Sequence, residues 1–149
     1  MTVLLVRHGD AVAAGTSGDA PRYLSARGRS ETAAVGAQLK AAGLVPKGFV
    51  TSPLVRAVQT AEILAAALDY RGVIASDAGL IPEGNADAAA RRIEAHAGGV
   101  LVVVCHEPIV RGIAAALTGR SSHPPFRTSG AVLFGAGPGA RPTLANFEP

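Results

Sequence analysis

Three segments of this 149-residue chain share one layout, in which an apolar run ends in polar residues that lead into a loop or helix. The first run ends in Arg7-His8-Gly9, the second leads to Arg56, and the third ends in Cys105-His106. The carboxyl ends of parallel strands meet at one edge of a sheet, where open α/β folds bind their ligands. We therefore expect four side chains to lie together: Arg7, His8, Arg56 and His106.

The chemistry that these residues could perform is phosphoryl transfer. One arginine guanidinium group can bind two phosphate oxygens side by side. Arg56 would also lie in the first turn of a helix, where the free backbone N–H groups attract anions. A neutral imidazole such as His8 is a nucleophile when its other ring nitrogen is held by a hydrogen bond. We expect a protonated His106 to stabilise the developing charge, and Gly9 to let the backbone approach the phosphate closely.

Each of these features also has a simpler interpretation. Arg7-His8-Gly9 could be an ordinary strand end, Arg56 a solvated helix residue and His106 a buried core histidine. A different mechanism is open as well, because Cys105 and Arg111 have the Cys-x5-Arg spacing of cysteine-dependent phosphatases. The intervening Pro108 lacks the N–H that such a loop needs, so we interpret Cys105 as a small core residue.

Composition excludes several classes of protein. The chain is 48% hydrophobic and 17% charged, which is typical of a globular domain. Its net charge is +3, but the basic residues form no consecutive block and no aromatic residues alternate with them, so we expect no nucleic-acid partner. Cys105 is the single cysteine, and we expect neither a metal nor a cofactor. We read no signal peptide and no membrane span, and we expect a cytoplasmic location.

Alternating strand and helix patterns predict the elements that position these residues. We expect one α/β domain over residues 1–149, with three layers: a mostly parallel central sheet of about six strands and helices on both faces. Strand patterns occupy residues 2–6, 48–51, 72–75, 100–105, 130–134 and 143–147. The last two have no helix between them and could pair antiparallel. Helices are expected after Ser25, from Ser52-Pro53, over 86–97 and from Glu107-Pro108 to Gly119.

The pattern of the second helix predicts which of its side chains face the core: Val55, Val58 and Ile63. Residues 8–24 form a long connection without a clear element, and long loops in compact domains are often functional.

The chain resembles the histidine phosphatase superfamily, and within it the small SixA-type phosphohistidine phosphatases. The resemblance rests on four motifs in order, at residues 4–11, 22–28, 51–61 and 102–108. It implies a phosphoglycerate mutase-like fold, with His8 as the phosphorylated nucleophile and Arg7, Arg56 and His106 completing the phosphate pocket. Arg22 matches a basic residue that lies near the pocket in the small subfamily.

The chain departs from the larger family members at the position of their proton-donating carboxylate. Pro82 occupies that position, and Glu83, a possible donor, is one residue away. An oxygen ester needs help to protonate its leaving group, whereas phosphohistidine leaves as an imidazole that is readily protonated. We therefore expect the substrate to be a protein that carries phosphohistidine. The sequence patterns indicate no particular oligomeric state for the chain itself. The alternatives are a phosphomonoesterase acting on small phosphorylated metabolites, and a catalytically silent phosphate-binding module.

Overall fold

Six strands form one sheet in the computed structural model, which describes residues 1–135 and 141–149. They are β1 (Thr2–Arg7), β2 (Pro46–Thr51), β3 (Ile74–Ser76), β4 (Val100–Cys105), β5 (Ala131–Phe134) and β6 (Thr143–Phe147). The order across the sheet is β3-β2-β4-β1-β5-β6. Strands β3, β2, β4 and β1 are parallel, whereas β5 pairs antiparallel with both β1 and β6. The mostly parallel sheet and the antiparallel pairing at its end are confirmed.

Four helices cover the two faces of the sheet: α1 (Ala26–Ala41), α2 (Val55–Ala67), α3 (Ala86–Glu94) and α4 (Ile109–Thr118). Alternate residues of β1 and β4 pack on opposite sides. Leu4 and Val102 join the core under α1 and α2, whereas Leu5 and Val103 join the core under α3 and α4. A strand covered on both faces must be apolar throughout, which explains the unbroken run of valine and leucine in these strands.

Helix α2 differs from its prediction in both start and orientation. It begins at Val55, with Leu54 as N-cap and no side-chain cap, rather than at Ser52-Pro53. Val55 is 40% exposed, and the buried face consists of Arg56, Ala57, Thr60, Ala61, Leu64 and Ala65. The prediction that Val55, Val58 and Ile63 form the inward face is wrong: Val55 is exposed and Val58 and Ile63 are half-buried. Alanines and two polar residues supply most of the contact face instead, so a row of large apolar side chains does not mark it.

The loop of residues 10–24, here called the rim loop, is fastened at its base to α1 and α2. Ala11 and Leu24 form a backbone bridge, and the Leu24 N–H donates to Gln59 Oε1 at 2.8 Å. Ser25, the predicted N-cap of α1, accepts from the Gly28 N–H and donates to Asp10 Oδ2 at 2.6 Å. Only glycine fits at Gly28, since a Cβ there would overlap the Asp10 carbonyl oxygen. The base of the loop is therefore rigid.

Within the described residues, every helix falls short of the length and hydropathy needed to cross a bilayer.

Candidate active site

His8 follows β1 directly, and its ring is held in one tautomer. Its Nδ1 lies 2.7 Å from the Gly9 carbonyl oxygen. A carbonyl can only accept, so Nδ1 carries the proton and Nε2 keeps its lone pair. The residue is 7% exposed, so it is buried but not completely enclosed. This arrangement is the one that nucleophilic attack through Nε2 requires.

Arg56 lies in the first turn of α2 and faces that lone pair. Its Nε donates to His8 Nε2 at 3.4 Å, and the residue is 3% exposed. The Arg56 carbonyl accepts the Thr60 hydroxyl at 2.7 Å, and the same hydroxyl accepts the Gly9 N–H at 3.0 Å. These bonds tie the helix turn to the end of β1, so the guanidinium and the imidazole hold a fixed relative position.

His106 follows β4 and lies beside His8, with 5.0 Å between the ring centroids. Its Nε2 is 2.7 Å from Ser52 Oγ. Its Nδ1 is buried and has no hydrogen-bond partner among the described residues. Ser52, which the sequence pattern assigned to a helix cap, therefore positions His106. A buried imidazole nitrogen without a partner can donate a hydrogen bond to a bound anion when it carries a proton.

Both rings are held neutral. Burial lowers the pKa of His8 to about 4; the Gly9 hydrogen bond opposes this shift, and the charges of Arg56, Arg7 and Arg22 add to it. Burial also lowers the pKa of His106 to about 3, with the His8 and Arg56 charges contributing. In the protein by itself, burial and neighbouring cations therefore favour the uncharged His106 ring. The expectation of a protonated His106 concerns the site with phosphate bound and stays a prediction.

Arg7 is the last residue of β1 and is held by a backbone acceptor. Its Nη1 donates to the Phe126 carbonyl at 2.8 Å. Its Nε is buried and unpaired among the described residues. The N–H of the same Phe126 donates to Glu107 Oε1 at 2.7 Å, so Glu107, next to His106 in sequence, fixes the acceptor that Arg7 uses. We call Arg7, His8, Arg56 and His106 the floor of the site.

Asp19, in the rim loop, was not among the predicted site residues, yet it contacts two of them. Its Oδ2 lies 2.9 Å from Arg56 Nη2, and its Oδ1 lies 3.0 Å from Arg22 Nη1. Hydrogen bonds from Arg22 and Arg56 hold the pKa of the Asp19 carboxyl below its usual value. One signal in the sequence points to it: Asp19 is the only acidic residue between Asp10 and Glu31. Arg22 thus reaches the site through a shared carboxylate.

Two other residues are predicted for the site: Gly9 next to the phosphate and Glu83 as a possible proton donor. A Cβ on Gly9 would meet Thr32 Oγ1 at 2.7 Å and Ser129 Oγ at 3.0 Å, so close packing against protein atoms explains this glycine. The exposed Glu83 lies between a 3₁₀ turn (Ala78–Leu80) and α3, and it makes no hydrogen bond or ion pair with another described residue.

The thiol alternative finds no support in the geometry. Cys105 is fully buried within the core under α3 and α4, and burial raises its pKa to about 12. Arg111, which would have to bind phosphate, instead pairs on the surface with Glu107 Oε2 at 3.3 Å. A protonated, enclosed thiol cannot act as the nucleophile.

A family model matches residues 3–81, which include the described positions of Arg7, His8, Arg22 and Arg56. That model describes the histidine phosphatase superfamily (branch 1). This chain belongs to the histidine phosphatase superfamily. His106 lies beyond the matched segment, and its place in the site comes from the strand order and the ring contact with His8. The protein is accordingly a phosphatase of the hydrolase class.

Known proteins similar to this histidine phosphatase include one curated relative and many solved structures. An uncharacterised protein of Picosynechococcus sp. is 40% identical over 113 residues, covering 72% of this chain and 67% of the relative. The protein histidine phosphatase SixA complexed with tungstate superposes with a TM-score of 0.90 at 25% identity, over 99% of this chain and 97% of SixA. A phosphoserine phosphatase of Entamoeba histolytica, in complex with 3-phosphoglyceric acid, has a TM-score of 0.77 at 15% identity, over 99% of this chain and 97% of its own; it shares the fold alone.

Proposed function

We propose that this histidine phosphatase removes the phosphoryl group from phosphohistidine in a protein, through a covalent phosphohistidine on His8. The observation that carries the proposal is the hydrogen bond between His8 Nδ1 and the Gly9 carbonyl, which leaves the Nε2 lone pair beside the Arg56 guanidinium. SixA, a protein histidine phosphatase with the same fold, forms a complex with tungstate, and this supports the proposal that the present site binds a phosphate-like group.

In the first step His8 Nε2 attacks phosphorus, and the bond between phosphorus and the substrate nitrogen breaks. The electron pair of that bond goes to the substrate imidazole. A ring already protonated on its other nitrogen leaves as neutral imidazole, and an unprotonated ring takes a proton from solvent. The new phosphoryl-imidazole on His8 keeps its Nδ1 proton, and the Gly9 carbonyl stabilises the resulting positive ring through that hydrogen bond. Arg56 and Arg7 bind the phosphoryl oxygens, where charge is spread in the transition state.

In the second step a water molecule attacks the phosphoryl group and the bond to His8 Nε2 breaks, which returns the neutral ring and releases phosphate. A bound phosphoryl dianion opposes the depression of the His106 pKa, so His106 can carry a proton while substrate is present. Its unpaired Nδ1 would then donate to a phosphoryl oxygen. His106 thus acts on charge that develops in the reaction rather than in the resting protein.

The carboxylates of the described residues favour a nitrogen leaving group. Asp19 touches the site but is held ionised by two arginines, and Glu107 is tied to the Phe126 N–H and to Arg111. Glu83 is exposed and unpaired. An ionised carboxylate cannot protonate an alkoxide, whereas imidazole leaves without a strong acid. Hydrolysis of small phosphate esters is the second candidate, which the shared fold of the Entamoeba phosphoserine phosphatase supports.

The proposal is tested by trapping the intermediate. Wild-type protein incubated briefly with a labelled phosphohistidine peptide and quenched in base should carry label that is stable in base and lost in acid. His8→Ala should abolish the label and lower turnover by about 10³-fold or more, since the nucleophile is gone. His96→Ala, which removes an exposed histidine outside the site, should behave as wild type. Turnover that survives His8→Ala unchanged would contradict the mechanism.

The substrate class is tested separately with a panel. We expect kcat/KM for the phosphohistidine peptide to exceed that for phosphoserine, sugar phosphates and nucleotides. A protein that hydrolyses the esters and leaves the phosphohistidine peptide intact is a small-molecule phosphomonoesterase. Tight vanadate binding without turnover on any member of the panel would identify a phosphate-binding module.

A further inference from the structure

The edge of the Arg56 guanidinium that faces the nucleophile is shared between two partners. Nε and Nη2 form one edge of the planar group, and this pair binds two oxygens of a phosphoryl group or carboxylate side by side. Here Nε faces His8 Nε2 at 3.4 Å, and Nη2 binds Asp19 Oδ2 at 2.9 Å. The Asp19 carboxylate therefore occupies a place on Arg56 that suits a phosphoryl oxygen, on the same guanidinium edge that faces the nucleophile.

Asp19 is held from several directions but remains accessible. Its own carbonyl accepts from Arg56 Nη1 at 3.2 Å, and its second carboxylate oxygen accepts from Arg22 Nη1 at 3.0 Å. Arg22 in turn is anchored by its Nε to the Val12 carbonyl at 2.7 Å. The Asp19 side chain is 56% exposed, so no packing prevents it from leaving Arg56. Once displaced, it can keep its bond to Arg22 and stay at the edge of the pocket.

We propose that Asp19 is a specificity-determining residue, which yields Arg56 to the phosphoryl group and then faces the leaving group with a negative charge. This inference rests on the proposed function and extends it to substrate choice. The carboxylate attracts a phosphohistidine ring that is protonated on the nitrogen not bonded to phosphorus, and it repels the developing negative charge of an ester oxygen. It also competes with free phosphate for Arg56 and so promotes product release.

The size of the effect follows from one unit of charge near the pocket. A carboxylate about 6 Å from a unit charge changes its binding by about tenfold, for an effective dielectric between that of a protein surface and water. Phosphohistidine with a protonated ring and a phosphate ester differ in charge at the leaving group. We therefore expect Asp19 to shift the ratio of their kcat/KM values by about tenfold.

The test compares wild type with Asp19→Asn, which keeps the shape and one acceptor oxygen and removes the charge. We measure kcat/KM for a phosphohistidine peptide and for phosphoserine, and the inhibition constant of inorganic phosphate. In Asp19→Asn the ratio of phosphohistidine to phosphoserine kcat/KM should fall about tenfold, and phosphate should bind about tenfold more tightly. Asp19→Glu keeps the charge and should retain most of the wild-type ratio.

Asp69→Asn is the matched control, because it removes the same charge from an exposed pair with Lys40 on the surface. It should leave the ratio and the phosphate inhibition unchanged. If Asp19→Asn left both the kcat/KM ratio and the phosphate inhibition unchanged, the proposed role of Asp19 would be overturned and the proposed function would stand. A wild-type protein that hydrolyses only phosphoserine would instead overturn the proposed function. Thermal melting of each variant separates these outcomes from a loss of fold.

Discussion

The floor of the site and the rim loop differ in how their polar side chains are held and in how far these are exposed. On the floor, Arg7 and His8 are held by the backbone carbonyls of Phe126 and Gly9. In the rim loop, Asp19 pairs with both Arg22 and Arg56, and Arg22 is also held by the Val12 carbonyl. The Arg22 and Asp19 side chains are 27% and 56% exposed. The floor side chains His8, Arg56 and His106 are buried, and this burial gives the floor one geometry, which suits chemistry on phosphorus. The exposed rim pair can exchange partners, which suits the recognition of different leaving groups.

The largest expected contrast between the two regions comes from Arg56→Lys. Lysine keeps the charge but has no planar edge, so it cannot face His8 and a phosphoryl oxygen together. We expect kcat/KM for the phosphohistidine peptide to fall by about 10²- to 10³-fold, in the range found for lost transition-state donors. The control is Arg71→Lys, at an exposed arginine, which should match wild type. A loss of less than threefold would mean that Arg56 supplies charge and not geometry.

Much of the floor could be predicted because backbone topology alone brings it together. Arg7 and His106 each end or follow a strand, and β1 and β4 are adjacent and parallel with Arg7 opposite Cys105. Any right-handed parallel arrangement places those ends at one edge. Arg56 required only that a helix begin after β2, and the error of two residues in its start did not move Arg56 out of the first turn.

The rim loop could not be predicted in the same way. It has no periodic pattern, and Asp19 meets Arg56, which is 37 residues away, through the Arg56 side chain and not through strand or helix pairing. The partner of His106 was missed for a related reason. Ser52-Pro53 is a good local signal for a helix start, but Ser52 instead bonds to a histidine 54 residues further along. In both cases the side chain is positioned by a polar contact with a residue far away in the sequence, which local sequence patterns do not indicate.

The second prediction concerns the free energy of unfolding, which should depend on pH through the buried histidines of the floor. A histidine with a depressed pKa in the folded state binds its proton first in the unfolded chain, so acid favours unfolding. For His8, with a pKa of about 4 against 6.5, the free energy of unfolding is unchanged above about pH 7 and decreases as the pH falls toward 4. The loss at pH 5 is on the order of 2 kcal/mol for one such group.

Urea unfolding of wild type and His106→Asn at pH 7.5 and at pH 5 checks this. The variant should lose less stability between the two pH values than wild type, because one of the buried rings no longer titrates. His96→Ala, at an exposed position, should retain the wild-type pH dependence. Equal pH dependence in wild type and His106→Asn would show that the floor histidines are not held neutral.

The smallest expected effect tests whether the floor depends on a second loop rather than on the rim. Glu107 Oε1 holds the Phe126 N–H at 2.7 Å, and the Phe126 carbonyl holds Arg7. Glu107→Ala leaves that N–H without its partner and loosens the acceptor of Arg7, so we expect KM to rise about tenfold with a smaller change in kcat, as for lost phosphate binding. Glu107→Gln keeps the acceptor oxygen and should restore most of the affinity.

Arg111→Ala is the control, since it removes the surface ion pair of Glu107 and leaves the bond to Phe126 in place. It should leave KM unchanged. The ratio of phosphohistidine to phosphoserine kcat/KM should also be the same in Glu107→Ala as in wild type, because Asp19 and Arg22 are not touched. If Glu107→Ala changed that ratio as Asp19→Asn is expected to do, floor and rim would be one coupled unit, and the division of labour between them would be wrong.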